Sequence, residues 1–291
     1  MLHARRQFSI SGSWDGTLRL WEVERGQCMR VLQGYDACLY DLDWSPDGTH
    51  LASASADSLV SIWQVESLGG GAPRGVLRGH GWCVYGVAWR PDGSVLASSG
   101  WDNAIRLWDA ATGICLEVIS DRDHPDILFW GLAWSPDGKL LASTTSSRGV
   151  LLWEVRAGAG YWIEPELPLF HRRLAFSPDG TRLVGGGDDG QVYVWDASDG
   201  RLLLRLGGHH AAVMSVAWSP DGTRLASGGG SLGKGEVFVW DASTGACLYT
   251  LNEPSGACMR WPGTRVGQCC SVEALMAGCA GGMFTAGSTY G

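Results

Sequence analysis

Between Gly79 and Asp109 the apolar positions of GHGWCVYGVAWRPDGSVLASSGWDNAIRLWD fall into short runs separated by turn-forming residues. A run from Val84 to Trp89 stops at Pro91-Asp92-Gly93, a second from Val95 to Ser99 stops at Asp102-Asn103, and Ala104 to Trp108 alternates. After Thr112-Gly113 a fourth run, Ile114 to Ile119, completes the set. Proline presets φ at the second turn position and glycine accepts positive φ at its end, so each Pro-Asp-Gly predicts a hairpin. Four runs joined this way predict one small antiparallel sheet.

The same pattern recurs along the chain. Tryptophans at the third-strand position, Trp21, Trp63, Trp108, Trp153, Trp195 and Trp240, are separated by 42, 45, 45, 42 and 45 residues. The Pro-Asp-Gly turns at Pro46, Pro91, Pro136, Pro178 and Pro220 step by 45, 45, 42 and 42. A fixed period in this range with four strands per unit is the signature of a β-propeller. The expected fold is all-β, an array of four-stranded antiparallel blades: six, or seven if residues 253–291 form a poor one.

The phrases L-A-S and V/L-A-W-S-P-D-G recur, as do Trp21-Glu22, Trp108-Asp109, Trp153-Glu154, Trp195-Asp196 and Trp240-Asp241. On these the chain resembles the WD-repeat, or β-transducin-like, propeller family over about residues 8 to 252. The resemblance implies a buried network in each unit, joining a His before strand one, a Ser or Thr in strand two, an Asp in the next turn and the strand-three Trp. The third unit supplies all four, as His80, Ser98, Asp102 and Trp108. The first offers Ser11, Asp15 and Trp21, and the second Ser53, Asp57 and Trp63 with Tyr35 in place of His. The fourth has Ser143, Ser147 and Trp153 with Pro125 for His; the fifth keeps Asp189 and Trp195 beside Gly185 and Leu167; the sixth keeps His209, Ser227 and Trp240 but no Asp. A His–Ser–Asp set invites comparison with a catalytic triad. Its recurrence in degraded form, completed by an indole N–H, reads instead as a satisfied structural network.

The units divide as a partial first repeat at about 8–32, then 33–77, 78–120, 121–165, 166–207 and 208–252, giving a propeller over 1–252 and a degenerate tail over 253–291. The first unit starts at its second strand, so its innermost strand must come from the tail or from sequence not present here. The tail either closes the ring, which would protect exposed strand edges, or is a worn blade. Three segments exceed the repeat and read as loops: Leu68 to Gly75, Arg156 to Pro168 and Gly228 to Gly235.

Composition narrows the chemistry. With 45% hydrophobic and 18% charged residues the 291-residue chain has the balance of a soluble globular protein, and 43 glycines and 16 tryptophans fit many short strands, tight turns and large packed rings. A net charge of −8 argues against nucleic acid as the partner. No apolar run is long enough to span a bilayer and the start lacks a signal-peptide h-region, so no membrane association and a cytoplasmic location are expected.

Cys28, Cys115 and Cys247 each lie seven residues after a marker Trp, where Leu202 follows Trp195, and so are expected in the apolar core. The tail cysteines Cys258, Cys269, Cys270 and Cys279 form no C-x-x-C pair, and no two histidines have metal-ligand spacing, so no metal or cofactor is expected. The segment Gly228 to Gly235 nearly matches a phosphate-binding loop and also contains Gly229-x-Ser231-x-Gly233. Both motifs require a helix to follow, whereas Glu236 to Trp240 reads as a strand. No catalytic residue is assigned.

Ten tryptophans are accounted for by the repeat, including Trp44, Trp89, Trp134 and Trp218 at the end of strand one. Trp14, Trp82, Trp101, Trp130, Trp162 and Trp261 remain. Trp14 and Trp101 precede a turn Asp, and Trp82 lies in a loop leading into strand one. Tyr40, Tyr85 and Trp130 each stand four residues before a strand-one Trp, where Arg172 and Met214 stand later. The WD-repeat resemblance implies that these positions ring the channel mouth on one face. Aromatic anchors with polar surroundings are what a protein-binding hot spot uses. The expected function is therefore a non-enzymatic scaffold or sensor module binding a protein or peptide through Trp14, Tyr40, Trp82, Tyr85, Trp101, Trp130 and Arg172. The resemblance also points to modules within larger multidomain signalling proteins. Two alternatives remain open: rings that only pack between blades, and a propeller enzyme or small-molecule binder using Arg172, Asp188 and Asp41 at the channel mouth.

Overall fold

The computed structural model describes residues 8–22, 25, 27–33, 37–64, 73–121, 123–163, 171–231 and 234–252. They form 23 strands and no helix, in six antiparallel sheets arranged as the blades of a propeller. Blade one holds β1 (Phe8–Gly12), β2 (Thr17–Glu22) and β3 (Gln27–Gln33); blade two holds β4 (Leu39–Trp44), β5 (His50–Ser55), β6 (Val60–Gln64) and β7 (Gly75–Leu77). Blade three comprises β8 (Val84–Trp89), β9 (Val95–Gly100), β10 (Ala104–Asp109) and β11 (Cys115–Ile119), and blade four β12 (Phe129–Trp134), β13 (Leu140–Thr145), β14 (Val150–Glu154) and β15 (Ala159–Ile163). Blade five is β16 (His171–Phe176), β17 (Arg182–Gly187), β18 (Gln191–Asp196) and β19 (Leu202–Gly207); blade six is β20 (Val213–Trp218), β21 (Arg224–Ser231), β22 (Lys234–Asp241) and β23 (Cys247–Asn252).

The first strand of blades two to six lines the channel, and β4, β8, β12, β16 and β20 each contact the next in turn. Antiparallel order fixes the two faces. The inner strands begin at the face that also carries the turns between second and third strands, here termed the upper face. The Pro-Asp-Gly turns lie at the lower face.

Each lower turn is closed by the residues that announced it. In the turn beginning at Ser45 the N–H of Gly48 donates to the Ser45 carbonyl at 2.8 Å, and Gly48 sits at φ 70°, a left-handed conformation that other residues adopt at a cost. Asp47 Oδ1 accepts from the Ser45 hydroxyl at 2.5 Å and from the Thr49 N–H at 3.0 Å. These bonds hold the Asp47 carboxyl down at about 2, and Asp137 and Asp221 are held at about 2 in the equivalent turns.

The core sits between blades. Ala52, Val60, Ile62 and Leu77 of blade two pack on Val84, Val87, Trp89, Leu96 and Trp108 of blade three, and similar seams join the following blades. Fully burying an indole such as Trp108 or Trp195 removes roughly 150–250 Å² from water, about 4–6 kcal/mol at ~25 cal/mol/Å². The strand-one tryptophans also tie blades together. Trp89, Trp134 and Trp218 donate their indole N–H to the carbonyls of Asp43, Ala88 and Ala175 on the preceding inner strand, at 3.2, 3.1 and 3.0 Å.

Three expectations need correction. Residues 159–163, read within a loop, are the outer strand of blade four. Gly228 to Ser231, also read as loop, continues β21 and pairs with Lys234 to Val237 as an extended hairpin, so the backbone that resembled a phosphate loop is already committed to a ladder. None of Cys28, Cys115 and Cys247 is fully buried, and only Cys115 of the three packs against a core seam, that between blades two and three. Each lies on the outermost strand beside a register shift, half-buried or exposed, with its thiol near the carbonyl two residues on, and Leu202 is exposed at the same position. Tolerance of Cys or Leu there reflects the open rim of the blade. Leu68 to residue 72, Tyr35, Trp261 and the tail 253–291 lie outside the described residues, and among the described residues blade one has three strands.

Candidate functional site

The upper face is shaped by a fault repeated in every inner strand described. In β4, β8 and β20 the ladder gains one residue at Tyr40, Tyr85 and Met214, and in β12 and β16 the same shift spans Trp130–Gly131 and Arg172–Arg173. A β-bulge leaves its extra residue unpaired and re-aims that side chain. Here the bulge stands at the channel mouth in five successive blades.

Three of these bulge positions carry rings, and the rings meet. Tyr40 stacks on Tyr85 with centroids 5.1 Å apart, Tyr85 meets Trp130 edge-on at 4.6 Å, and Trp101 lies 6.3 Å from Tyr40, 6.4 Å from Tyr85 and 5.8 Å from Trp130. Four rings from blades two, three and four thus form one half-buried platform. Trp101 is carried by the turn after β9, whose backbone is fixed by its N–H donating to the Cys83 carbonyl at 3.0 Å. The close approach of β8 to β12 depends on Gly86. A Cβ there would collide with the Trp130 carbonyl and stand 2.6 Å from the Ser99 hydroxyl, which itself donates to that carbonyl.

Trp14 and Trp82 stand apart as exposed rings, with 78% and 61% of their surface open. The Trp14 turn is docked against the start of β4 by the Leu39 N–H donating to the Ser13 carbonyl at 3.3 Å. Trp162 belongs elsewhere, half-buried on the outer strand of blade four under the Arg148 guanidinium, 4.8 Å from its ring. The side chain of Arg172 lies outside the described residues; its neighbour Arg173 carries the cation that is described.

Beside the platform a buried carboxylate pairs with a half-buried guanidinium. Arg173 of blade five donates to Asp41 Oδ1 of blade two at 2.5 Å. Asp41 also accepts from the Leu42 N–H at 2.8 Å and, on Oδ2, from the Val87 N–H of blade three at 3.2 Å. Burial raises the Asp41 carboxyl above its usual range, against the pull of Arg173 and the two amides. Asp43, two residues on, accepts from the Trp89 N–H at 2.6 Å. Asp188, the third ionisable group named for the mouth, lies in the turn between β17 and β18.

The buried networks differ from blade to blade. In blade three His80 Nδ1 lies 2.9 Å from Asp102 Oδ1, and His80 Nε2 lies 2.7 Å from Ser98 Oγ, which accepts the Trp108 indole N–H at 2.8 Å. Burial opposes the charge on Asp102, but hydrogen bonds from His80 and the Gly81 N–H outweigh it and hold the carboxyl low. Asp102 therefore orients the His80 ring by accepting from Nδ1, and Ser98 Oγ meets its other nitrogen. Ser98 has no exposed surface, so its oxygen is a network node that no substrate reaches.

Ser11 and Ser53 accept Trp21 and Trp63 at 2.9 and 3.1 Å. In blade four the Ser143 hydroxyl turns to the Thr144 carbonyl instead, and Trp153 Nε1 finds no acceptor among the described residues. In blade five Tyr193 replaces the histidine, donating to Asp189 at 2.7 Å and stacking on Trp195, whose ring fills the space a Cβ at Gly185 would need.

In blade six a strand carboxylate stands near the place of the missing Asp but does not hydrogen-bond to His209 Nδ1. Glu236 accepts from the His210 N–H at 3.0 Å, pairs with the His210 ring at 2.7 Å and lies 3.6 Å from His209 Nδ1, while His209 Nε2 and Trp240 both meet Ser227. Among the described residues no three metal-ligating side chains cluster, and no helix is long and apolar enough to cross a membrane.

Blades of four antiparallel strands, Pro-Asp-Gly turns and an indole-to-serine bond in four of the six blades define a WD-repeat propeller. The model of the WD domain, G-beta repeat matches residues 2–22, 26–64, 71–109, 114–154, 172–196 and 200–241, and the chain belongs to that family. Among curated proteins it is 41% identical over 56 residues to nuclear distribution protein PAC1 of Arthroderma otae, covering 19% of this chain and 12% of that one. It is 35% identical over 68 residues to protein Rae1 of Drosophila melanogaster, covering 22% and 19%, and 32% identical over 59 residues to cell division control protein 4 of Saccharomyces cerevisiae, covering 20% and 8%. The chain thus matches less than one fifth of the length of each of these relatives.

Proposed function

We propose that the chain is a non-enzymatic interaction scaffold that captures a protein or peptide on the upper face, over blades one to four. The observation that carries this reading is the platform of Tyr40, Tyr85, Trp101 and Trp130, flanked by exposed Trp14 and Trp82. Blade architecture asks for tryptophan at the ends of strands one and three, not for four touching rings at the channel mouth. Rigid aromatic side chains supply contact area at low entropic cost, and hot spots are rich in Trp and Tyr.

The reading extends to a cytoplasmic module over residues 1–252, within a larger signalling protein, with partners that are neither nucleic acid nor membrane. The names of the relatives, in nuclear distribution and cell division control, are compatible with assembly roles. A channel-mouth enzyme is less well supported, because Asp41 is fully engaged by one guanidinium and two amides and is closed to a substrate.

The test is capture from lysate of the source cells by the wild type, by a Tyr85→Ala/Trp101→Ala variant and by a Leu116→Ser/Val118→Ser variant on the outer rim. A partner retained by the rim variant and lost by the platform variant, with both variants folded, supports the reading. A partner set indifferent to the platform removes it.

A further inference from the structure

Asp41 and Arg173 occupy the same place in the repeat. The inner strands read Leu-Tyr-Asp41, Val-Tyr-Gly86, Phe-Trp-Gly131, His-Arg-Arg173 and Val-Met-Ser215, so this position faces the mouth just after each bulge. Blades two and five are three apart in a six-bladed ring and therefore opposite. Their ion pair spans the channel, 132 residues apart in sequence.

Asp41 and Asp43 also face β8, whose channel-side edge has no further strand to pair with. Their carboxylates accept the N–H groups of Val87 and Trp89, alternate donors on that edge. The other inner strands carry Gly or Ser at the first of these positions, apart from Arg173, and Ala at the second: Gly86 and Ala88, Gly131 and Ala133, Ala175, Ser215 and Ala217. The device is confined to the junction where Tyr40 stacks on Tyr85.

We infer that Asp41 and Arg173 are positioning residues: a cross-channel strut that fixes the β4 and β8 bulges and so presents the aromatic platform, making blade five a remote determinant of capture. Arg173 neutralises the buried carboxylate, and the carboxylate holds the β8 backbone two residues from Tyr85. An isolated buried charge is costly, so without Arg173 the carboxylate, while it stays ionised, moves toward water and releases Val87.

The strut rests on the platform reading only for its effect on capture, because its structural claim is read without a partner. Hydrogen exchange by mass spectrometry on the full chain compares the wild type with Arg173→Met, Asp41→Asn/Arg173→Met and Asp41→Leu/Arg173→Met. In Arg173→Met, exchange over residues 84–89 should rise at least about tenfold while residues 213–218 of blade six stay near wild type. Asp41→Asn/Arg173→Met should return to wild-type exchange, because an uncharged amide oxygen still accepts the Val87 N–H. Asp41→Leu/Arg173→Met should remain fast over 84–89 even if its melting temperature recovers, since replacing an ion pair whose carboxylate is buried by apolar groups can restore stability without restoring the acceptor. Unchanged exchange over 84–89 in Arg173→Met, a uniform rise across all blades, or equal recovery in both double variants would overturn the strut. Normal exchange behaviour with no platform-dependent partner would leave the strut standing and count against the proposed function alone.

Discussion

Ser98→Ala tests the blade-three network most sharply, because one oxygen serves two buried nitrogens. Ser98 Oγ lies 2.7 Å from His80 Nε2 and 2.8 Å from Trp108 Nε1, and its residue has no exposed surface. Removing it leaves an imidazole nitrogen and an indole N–H without their partner. Each buried polar group so orphaned costs about 1–3 kcal/mol, so the substitution should cost about 2–6 kcal/mol. The equivalent Ser53→Ala takes the acceptor from the Trp63 indole and a long bond of 3.4 Å from the Ser61 carbonyl, with no histidine in the set, and should cost about 1–3 kcal/mol.

Ser143→Ala is the internal control, since that hydroxyl meets only the Thr144 carbonyl and Trp153 does not use it; its cost should stay under about 1 kcal/mol. Urea unfolding followed by tryptophan fluorescence, with the slope checked for constancy, gives the ranking. Ser98→Ala no more costly than Ser143→Ala would refute the claim that these serines act through the bonds described.

Other outcomes follow from individual contacts. Gly86→Ala forces a Cβ against the Trp130 carbonyl and should destabilise by about 2–3 kcal/mol or more, measured by the same unfolding assay. Trp134→Phe removes the bond to the Ala88 carbonyl while keeping most of the ring, and should cost about 1–2 kcal/mol against a smaller loss for Phe176→Leu, which breaks no such bond. The turn carboxyls Asp47, Asp137 and Asp221 titrate at about 2 when folded, below the ordinary 3.8. Their contribution is present above about pH 4 and fades as pH falls toward 2, so an Asp47→Asn/Asp137→Asn/Asp221→Asn variant should show a flatter loss of stability over that window in acid titrations. Trp14→Ala, at a ring mostly in solvent, should change stability by less than about 0.5 kcal/mol.

The repeat was legible because its information is local. A Pro-Asp-Gly turn specifies a hairpin through residues that touch one another, and every Pro-Asp-Gly marker closes such a turn. Strand boundaries near Val84 to Ile119 were readable for the same reason. The rings at Tyr40, Tyr85 and Trp130 could be aligned by their offset from the strand-one tryptophan, although the bulge that turns them toward the mouth leaves no mark in an apolar pattern. What escaped was non-local or substitutive. The Asp41–Arg173 pair joins opposite blades, and its one trace was a charged residue where the neighbouring inner strands carry Gly or Ser. Glu236 comes near His209 from a strand rather than a turn and bonds to its neighbour His210, so a search at the usual offset passes over it. Cys28 and Cys247 looked like core because Leu shares their position, yet of this set only Cys115 packs on a seam, and the outermost strand admits apolar residues in the open, as Ile114, Leu116 and Val118 show.

The proposed function puts partner binding on the upper-face platform rather than on the rim. Once a partner has been captured, its affinity for Tyr85→Ala/Trp101→Ala measured by calorimetry decides the matter. The affinity should fall about 100-fold or more, as for the truncation of paired hot-spot aromatics, with Leu116→Ser/Val118→Ser within about threefold of wild type. Equal affinity for the platform variant and the wild type, with both folded, would contradict it.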